Sequence, residues 1–151
     1  MALDDDIRLL GSVGFLEGLT TEQLRLLAFG AESMRLSAGR ELYREGAAAD
    51  GAFIVASGEV DLTTLKGNRL VTLKTVGPST ILGDVALIAP ARRATGAMAR
   101  TDCELLRIGR TLFRRILTEY PETAVLLQER FARELQDLAG EVAKLEDRFR
   151  D

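Results

Sequence analysis

The sequence predicts a mainly β domain, a sandwich or a barrel, with helices flanking it on both sides. Three observations support this fold class: short apolar runs rich in Val, Ile and Thr between residues 31 and 109, glycines that separate these runs, and helically spaced apolar residues outside them. Short strands about eight to twelve residues apart, with turn residues between them, are typical of sandwiches and barrels. Because strands and helices do not alternate along the chain, a doubly wound parallel sheet is not expected.

Residues 1–30 are expected to form N-terminal helices, because leucines and phenylalanines recur there at loosely helical spacing. Thr20 supplies an N-cap hydroxyl, and Glu22 or Gln23 stands in the capping-box region, which indicates the start of a helix. Glycines in the stretch Gly11–Gly18 divide the segment. We therefore predict two short helices.

Residues 31–109 are expected to form the β-structure. Ala52–Ala56 is a continuous apolar run, typical of a buried strand, and Val60–Thr63 alternates as a half-buried strand does. Lys66–Asn68 carries a hairpin signal before the next apolar run. The residues of this zone that we interpret as core are Tyr43, Phe53 and Cys103.

Residues 110–151 are expected to form C-terminal helices, with Pro121 ending one helix and opening a longer one. Apolar residues of the longer helix repeat in alternating steps of four and three; they are Phe131, Leu135, Leu138, Val142, Leu145 and Phe149. Because this spacing is a heptad seam, we expect helix 122–150 to pair with a second chain in a homodimer. The alternative is that it folds back as a lid on its own chain.

Length and composition indicate one folded domain over residues 1–151. Hydrophobic residues make up 46% and charged residues 28% of the 151, which excludes disorder as the main state. The chain has no His, which removes His-based triads and His metal sites. Its single cysteine excludes an internal disulfide and a Cys-cluster metal site. We predict no catalytic residues, no metal and no cofactor.

The charge pattern argues against nucleic acid and membrane partners. The formal net charge is −3, which is not the footprint of a nucleic-acid binder. No apolar run approaches the roughly 20 residues that span a bilayer, and the start Asp4–Asp6 is acidic where a signal peptide would be basic. We therefore expect a cytoplasmic protein. Four arginines are interpreted as a solvated helix face: Arg107, Arg110, Arg114 and Arg115.

The stretch 82–95 combines a glycine, a carboxylate and an arginine pair. A short helix that begins after Gly83 would present backbone N–H groups to an anion. Arg92 can add a bidentate contact to the same anion, whereas the Asp84 carboxylate is suited to accept from a hydroxyl. These residues therefore favour a sugar-phosphate site. The alternative is a plain turn between two strands with solvent-facing arginines.

The chain from Phe15 to about Leu138 resembles the cyclic nucleotide-binding domain family. Five pieces match in order and spacing: Phe15–Thr20, Ala38–Gly46, Asp50–Val60, Gly83–Leu87 with Arg92–Thr95, and Ala99–Ile108. The resemblance implies an eight-stranded jelly-roll β-barrel with N-terminal helices and a long C-terminal helix. It also implies that 82–95 is the phosphate-binding cassette.

The resemblance also implies a role for individual residues of the cassette. It implies that Arg92, which completes an Arg-x-Ala-Thr pattern, grips the cyclic phosphate, although Arg92 and Arg93 are able to share or exchange roles. It implies that Asp84 accepts from the ribose 2′-hydroxyl. Backbone N–H groups near Val85, Ala86 and Ala94 would complete the cradle. The full expected set is Gly83, Asp84, Val85, Ala86, Arg92, Arg93, Ala94 and Thr95.

The function implied by the resemblance is a regulatory sensor that performs no chemistry. Members that bind cyclic GMP tightly often carry Thr after the cassette arginine, and Arg93 in that place favours cyclic AMP over cyclic GMP. Ligand binding would reposition the C-terminal helices and signal to an as yet unknown protein partner. The alternative is a structural or interaction module with an altered pocket, which dimerises or docks through its long helix. A DNA-binding regulator is a third reading, disfavoured because no helix-turn-helix is visible.

Overall fold

A computed structural model describes residues 2–133 and residue 136. Its N-terminal part holds helix α1 (Ala2–Gly11), a 3-10 turn (Gly14–Leu16) and helix α2 (Thr21–Gly30). Thr20 caps α2: its hydroxyl accepts from the Gln23 N–H, and the Gln23 side chain accepts from the Thr20 N–H at 2.9 Å. The two predicted helices and their boundary signal are therefore confirmed, with Gln23 as the capping-box partner.

Ten strands follow in the part of the chain that the structure describes. They are β1 (Glu32–Leu36), β2 (Glu41–Tyr43), β3 (Ala48–Ala49), β4 (Gly51–Ser57), β5 (Val60–Lys66), β6 (Arg69–Val76), β7 (Ile81–Leu82), β8 (Ala91–Arg92), β9 (Gly96–Ala99) and β10 (Cys103–Gly109). Helix α3 (Arg110–Glu119) comes next, and residues 121–133 are helical again (α4).

The strands are arranged in antiparallel sheets. One four-stranded sheet has the order β1-β10-β4-β7, a second has the order β2-β9-β5-β6, and β3 pairs with β8 alone. The predicted mainly β jelly roll with flanking helices is confirmed. The prediction of eight strands in a closed barrel needs correction, because the two-residue strands β3 and β8 form a separate pair and the two larger sheets do not close on each other.

Strands β4 and β10 divide the core into two layers by strict alternation. Ile54 and Ile108 point towards the helices and pack in the cluster that contains Phe113. Phe53 and Leu105, on the opposite faces, pack in the space between the two large sheets. The period of two in a strand produces this division. As a result, the aromatic ring of Phe53 lies on the side of β4 away from the helices.

A buried polar contact joins α2 to α4. The Gln23 side chain is 4% exposed, and its Nε2 donates to the Thr123 hydroxyl at 2.9 Å. Thr123 is itself buried. The Gln23 side chain thus forms hydrogen bonds with the Thr20 N–H at the start of its own helix and with the Thr123 hydroxyl, 100 residues away on the C-terminal helix.

Replacing Gln23 with Ala is expected to lower the free energy of unfolding by about 2 kcal/mol, because it removes one buried and one partly buried hydrogen bond and leaves the Thr123 hydroxyl unpaired. Urea denaturation followed by circular dichroism measures the change. Arg25, exposed on the same helix, provides the control, since Arg25→Ala should stay within about 0.5 kcal/mol of wild type. Equal losses in the two variants would contradict this account.

Only the beginning of the predicted coiled-coil helix belongs to the described residues. Phe131 is half-buried at the end of α4. The heptad positions from Leu135 onwards lie outside the described residues, so dimerisation through 122–150 stays a prediction. Within residues 2–133 and 136, none of the helices is long and apolar enough to cross a membrane.

Candidate functional site

A pocket of about 320 Å³ brings together all eight residues predicted to form the site. They are Gly83, Asp84, Val85, Ala86, Arg92, Arg93, Ala94 and Thr95. Further lining comes from β2, β3, β5, β7 and β8, through Tyr43, Ala49, Leu62, Ile81, Leu82 and Ala91. The pocket thus combines a few polar groups with apolar walls, which is typical of a small-molecule site.

Gly83 turns the chain from β7 into a short 3-10 turn, Asp84–Leu87. Its φ of 82° lies in the left-handed region that favours glycine. The Val85 N–H donates to the Asp84 carboxylate at 3.0 Å, and the Ala86 N–H donates to the Gly83 carbonyl at 3.0 Å. Two of the three predicted backbone donors are therefore already engaged inside the turn. The Asp84 side chain is half-buried at the pocket wall.

Arg93 is the buried cation of the pocket, only 8% exposed. Its Nη2 donates to the Gly51 carbonyl at 2.9 Å. Its backbone is held from both sides, because its N–H donates to the Ala47 carbonyl and its carbonyl accepts from the Gly46 N–H. The main chain of Arg93 is therefore held by the loop before β3, and one hydrogen bond anchors its guanidinium to β4.

The remaining nitrogen of that guanidinium faces Gly83. A Cβ placed on Gly83 would lie 2.1 Å from Nη1. Within the part of the chain that the structure describes, Nη1 is the single buried side-chain nitrogen or oxygen without a hydrogen-bond partner. Leaving a buried charged donor unpaired is unfavourable by several kcal/mol in general, so this atom indicates a place for an anion.

Burial lowers the pKa of Arg93 from its ordinary value, and the nearby Arg107 lowers it further. The neighbouring Tyr43 and the Asp50 carboxylate act in the opposite direction. A guanidinium remains charged at neutral pH even so. The pocket therefore holds the permanent positive charge of Arg93, and no described residue accepts a hydrogen bond from its Nη1.

Arg92 lies at the outer rim of the same pocket. It is exposed, it pairs with Ala48 in the β3–β8 ladder, and its Nη1 donates to the Gly46 carbonyl at 2.9 Å. Neighbouring side chains along extended backbone point to opposite sides, which separates Arg92 from Arg93. The geometry thus favours Arg93 over Arg92 for an anion inside the pocket.

The sequence alone gave only weak signals that Arg93, and not Arg92, would enter the pocket. Tyr43 and Phe53 were interpreted as core residues; Phe53 belongs to the core between the sheets, and Tyr43 is half-buried and packs against it. Their rings also flank the guanidinium of Arg93, at 4.5 Å and 5.4 Å from Cζ to the ring centroids. A buried arginine needs such neighbours, but only the folded chain places these three residues together.

Arg110 connects the pocket to the C-terminal helices. Its Nε donates to the Ala86 carbonyl at 2.7 Å and its Nη2 to the Ala49 carbonyl at 2.5 Å. The interpretation of Arg110 as solvated was wrong, because the first turn of α3 packs against the 3-10 turn of the cassette. Arg107 is also engaged: it donates to Asp50 at 2.8 Å and lowers the pKa of that carboxyl. Arg114 and Arg115 are exposed as predicted.

Several known proteins are similar to this chain. The cAMP-dependent protein kinase regulatory subunit of Eremothecium gossypii is 36% identical over 99 residues, which are 66% of this chain and 21% of that protein. The structure of a cyclic nucleotide-binding-like protein from Brucella abortus is 55% identical, covers 76% of this chain and 99% of its own, and has a TM-score of 0.71. The N-terminal domain of a transcriptional regulator from Streptomyces coelicolor is 28% identical with a TM-score of 0.79, over 89% of this chain and 94% of its own.

The similarity to these curated relatives is confined to one domain of much longer proteins. This chain spans between 5% and 21% of the length of the first curated relatives that it matches. The model of the cyclic nucleotide-binding domain matches residues 33–120, which include every strand from β2 to β10, nearly all of β1, the whole cassette and helix α3. With the β-roll, the cassette glycine and the buried arginine in place inside that match, this chain belongs to the cyclic nucleotide-binding domain family.

Proposed function

We propose that this domain is a sensor that binds cyclic AMP in the pocket of Gly83 and Arg93, without chemistry of its own. The observation that carries the proposal is the buried Arg93 Nη1, which is charged and has no hydrogen-bond partner among the residues that the structure describes. A cyclic phosphate supplies two exocyclic oxygens that share one negative charge, and a charge-assisted bond to them is among the strongest hydrogen bonds in proteins.

In this proposal Arg93 takes the phosphate role that the sequence had favoured for Arg92. The Asp84 carboxylate, half-buried at the pocket wall, accepts from the ribose 2′-hydroxyl. Ala94 then follows the phosphate arginine, and it has no hydroxyl to offer to a guanine. Cyclic AMP therefore stays favoured over cyclic GMP, in line with the similarity to a cAMP-dependent protein kinase regulatory subunit.

We further propose that ligand binding acts on the C-terminal helices through Arg110. A phosphate seated beside Gly83 engages the 3-10 turn, whose Ala86 carbonyl accepts from Arg110 at the start of α3. Such a contact transmits a signal only if the ligand binds one arrangement of turn and helix more tightly than the other. The receiver is a protein, either a second copy through 122–150 or an unrelated chain, in the cytoplasm.

Calorimetric titration of the wild-type chain with cyclic AMP, cyclic GMP and adenosine tests the proposal. We expect cyclic AMP to bind with a Kd of about 1 μM or tighter, near −8 kcal/mol, and cyclic GMP more weakly. Adenosine lacks the phosphate and should bind at least about 100-fold more weakly than cyclic AMP. Absence of binding by both cyclic nucleotides at millimolar concentration would overturn the proposal and favour an interaction module with an altered pocket.

A further inference from the structure

We infer that Tyr43 is a positioning residue for the ligand phosphate and acts through Arg93. Its ring face holds the guanidinium plane so that Nη1 stays directed at the turn of Gly83. The inference rests on the proposed function and adds a residue to it from outside the cassette.

The hydrogen bonds of Arg93 do not by themselves fix its guanidinium plane. Among the described residues, the guanidinium of Arg93 makes one hydrogen bond, from Nη2 to the Gly51 carbonyl, and a single bond leaves the plane free to turn about it. The ring of Tyr43 lies closest to the charge, with Cζ 4.5 Å from the ring centroid. Arg prefers to lie over an aromatic face, so this contact supplies the missing restraint.

Tyr43 is itself held in place by Phe53. The two rings are 6.0 Å apart between centroids and inclined by 28°. Phe53 is buried in the inner face of β4, in the core between the sheets, so it anchors the stack. Phe53 lies farther from the guanidinium, at 5.4 Å. Both rings therefore contact the cation, Tyr43 more closely, and Phe53 also supports Tyr43 from the core.

The backbone explains why the Tyr43 ring reaches the pocket. Strand β2 pairs with β9, and the register shifts between Glu41 and Tyr43. Such an irregularity re-aims a side chain relative to a regular ladder. The partner of Tyr43 across the ladder is Ala97, whose small side chain leaves room for the ring.

The phenol stays neutral in this environment. Burial raises the pKa of Tyr43, and the charge of Arg93 and the Thr95 hydroxyl offset part of that rise. Tyr43 thus offers Arg93 a neutral ring face and does not neutralise the guanidinium. The positive charge stays available to an anionic ligand.

Two substitutions separate the ring from its hydroxyl. Tyr43→Phe keeps the aromatic face, whereas Tyr43→Leu removes it and keeps an apolar side chain. Titration with cyclic AMP should show Tyr43→Phe within about twofold of wild type and Tyr43→Leu weakened by about five- to tenfold, the range of a partly desolvated cation–π contact. Equal losses in both variants would overturn the inference. Urea denaturation of each variant confirms that the comparison is between folded proteins.

A double-mutant cycle with Arg93→Gln distinguishes positioning from direct contact with the ligand. If Tyr43 acts through Arg93, Tyr43→Leu should change cyclic AMP affinity by less than about twofold in the Arg93→Gln background. Adenosine binding should likewise be unchanged by Tyr43→Leu, since adenosine has no phosphate. A loss of the same size in both backgrounds, or a matching loss for adenosine, would overturn the inference.

A titration without ligand keeps this inference distinct from the proposed function. The chain has two tyrosines, so Tyr120→Phe leaves Tyr43 as the single phenol seen by tyrosinate absorbance. Arg93→Gln in that background should raise the pKa of Tyr43, because the cation that stabilises the tyrosinate is removed; an unchanged pKa would overturn the contact.

If wild type binds no cyclic nucleotide, the proposed function fails and the inference with it. If wild type binds and Tyr43→Leu binds equally well, the inference alone fails.

Discussion

Replacing Arg93 with Leu is expected to weaken cyclic AMP binding by about 100-fold or more, whereas Arg92→Leu should weaken it by less than about fivefold. Removing one partner of a buried, hydrogen-bonded charge pair generally reduces affinity by about 2–5 kcal/mol, and tenfold corresponds to about 1.4 kcal/mol. Arg92 is exposed at the rim and already bonded to the Gly46 carbonyl, so its contribution is screened by solvent. Calorimetry on the two variants measures the difference.

The stability of the unliganded protein provides an internal check on the Arg93 variant. Within residues 2–133 and 136, the buried Nη1 of Arg93 has no hydrogen-bond partner, which is unfavourable in the absence of ligand. Leu at this position loses the bond to the Gly51 carbonyl but removes that buried charge. We therefore expect the free energy of unfolding to stay within about 1 kcal/mol of wild type. A large affinity loss at Arg92 and a small one at Arg93 would restore the assignment that the sequence favoured.

Replacing Gly83 with Ala is expected to reduce both binding and stability. The residue has a φ of 82°, and a left-handed conformation destabilises a residue with a Cβ by about 1–2 kcal/mol. The new Cβ would also lie 2.1 Å from Arg93 Nη1, so the guanidinium has to leave the position it holds beside the turn. We expect cyclic AMP affinity to fall by about tenfold or more, which is about 1.4 kcal/mol.

Gly39→Ala is the matched control for this substitution. Gly39 has a nearly equal φ of 85°, and a Cβ there would meet no atom of the described residues within 4 Å. Because of the backbone strain, Gly39→Ala should lower the free energy of unfolding measured by urea denaturation. It should leave cyclic AMP affinity within about twofold of wild type. If Gly39→Ala and Gly83→Ala lower affinity equally, the collision with Arg93 is not the cause of the loss.

Local patterns in the sequence determined the elements of the fold. The capping box at Thr20 and Gln23 marked the start of α2, because both partners of that motif lie within one turn. The continuous apolar run Ala52–Ala56 is a strand whose two faces are both covered, one by helices and one by the second sheet. Spacing along the chain is enough for such features, since their physical causes are local or periodic. The family resemblance predicted a common site for Gly83–Ala86 and Arg92–Thr95, and these eight residues line one pocket.

Tertiary packing alone decided which arginine enters the pocket. Arg92 and Arg93 are adjacent and chemically identical, and the direction of each side chain depends on the short pairing of β3 with β8. The partners of Arg93 come from β2 and β4, about 40 to 50 residues earlier in the chain. The bonds of Arg110 likewise depend on where α3 meets the cassette. Local spacing contains no information on contacts between such distant segments, so these roles became visible only in the folded chain.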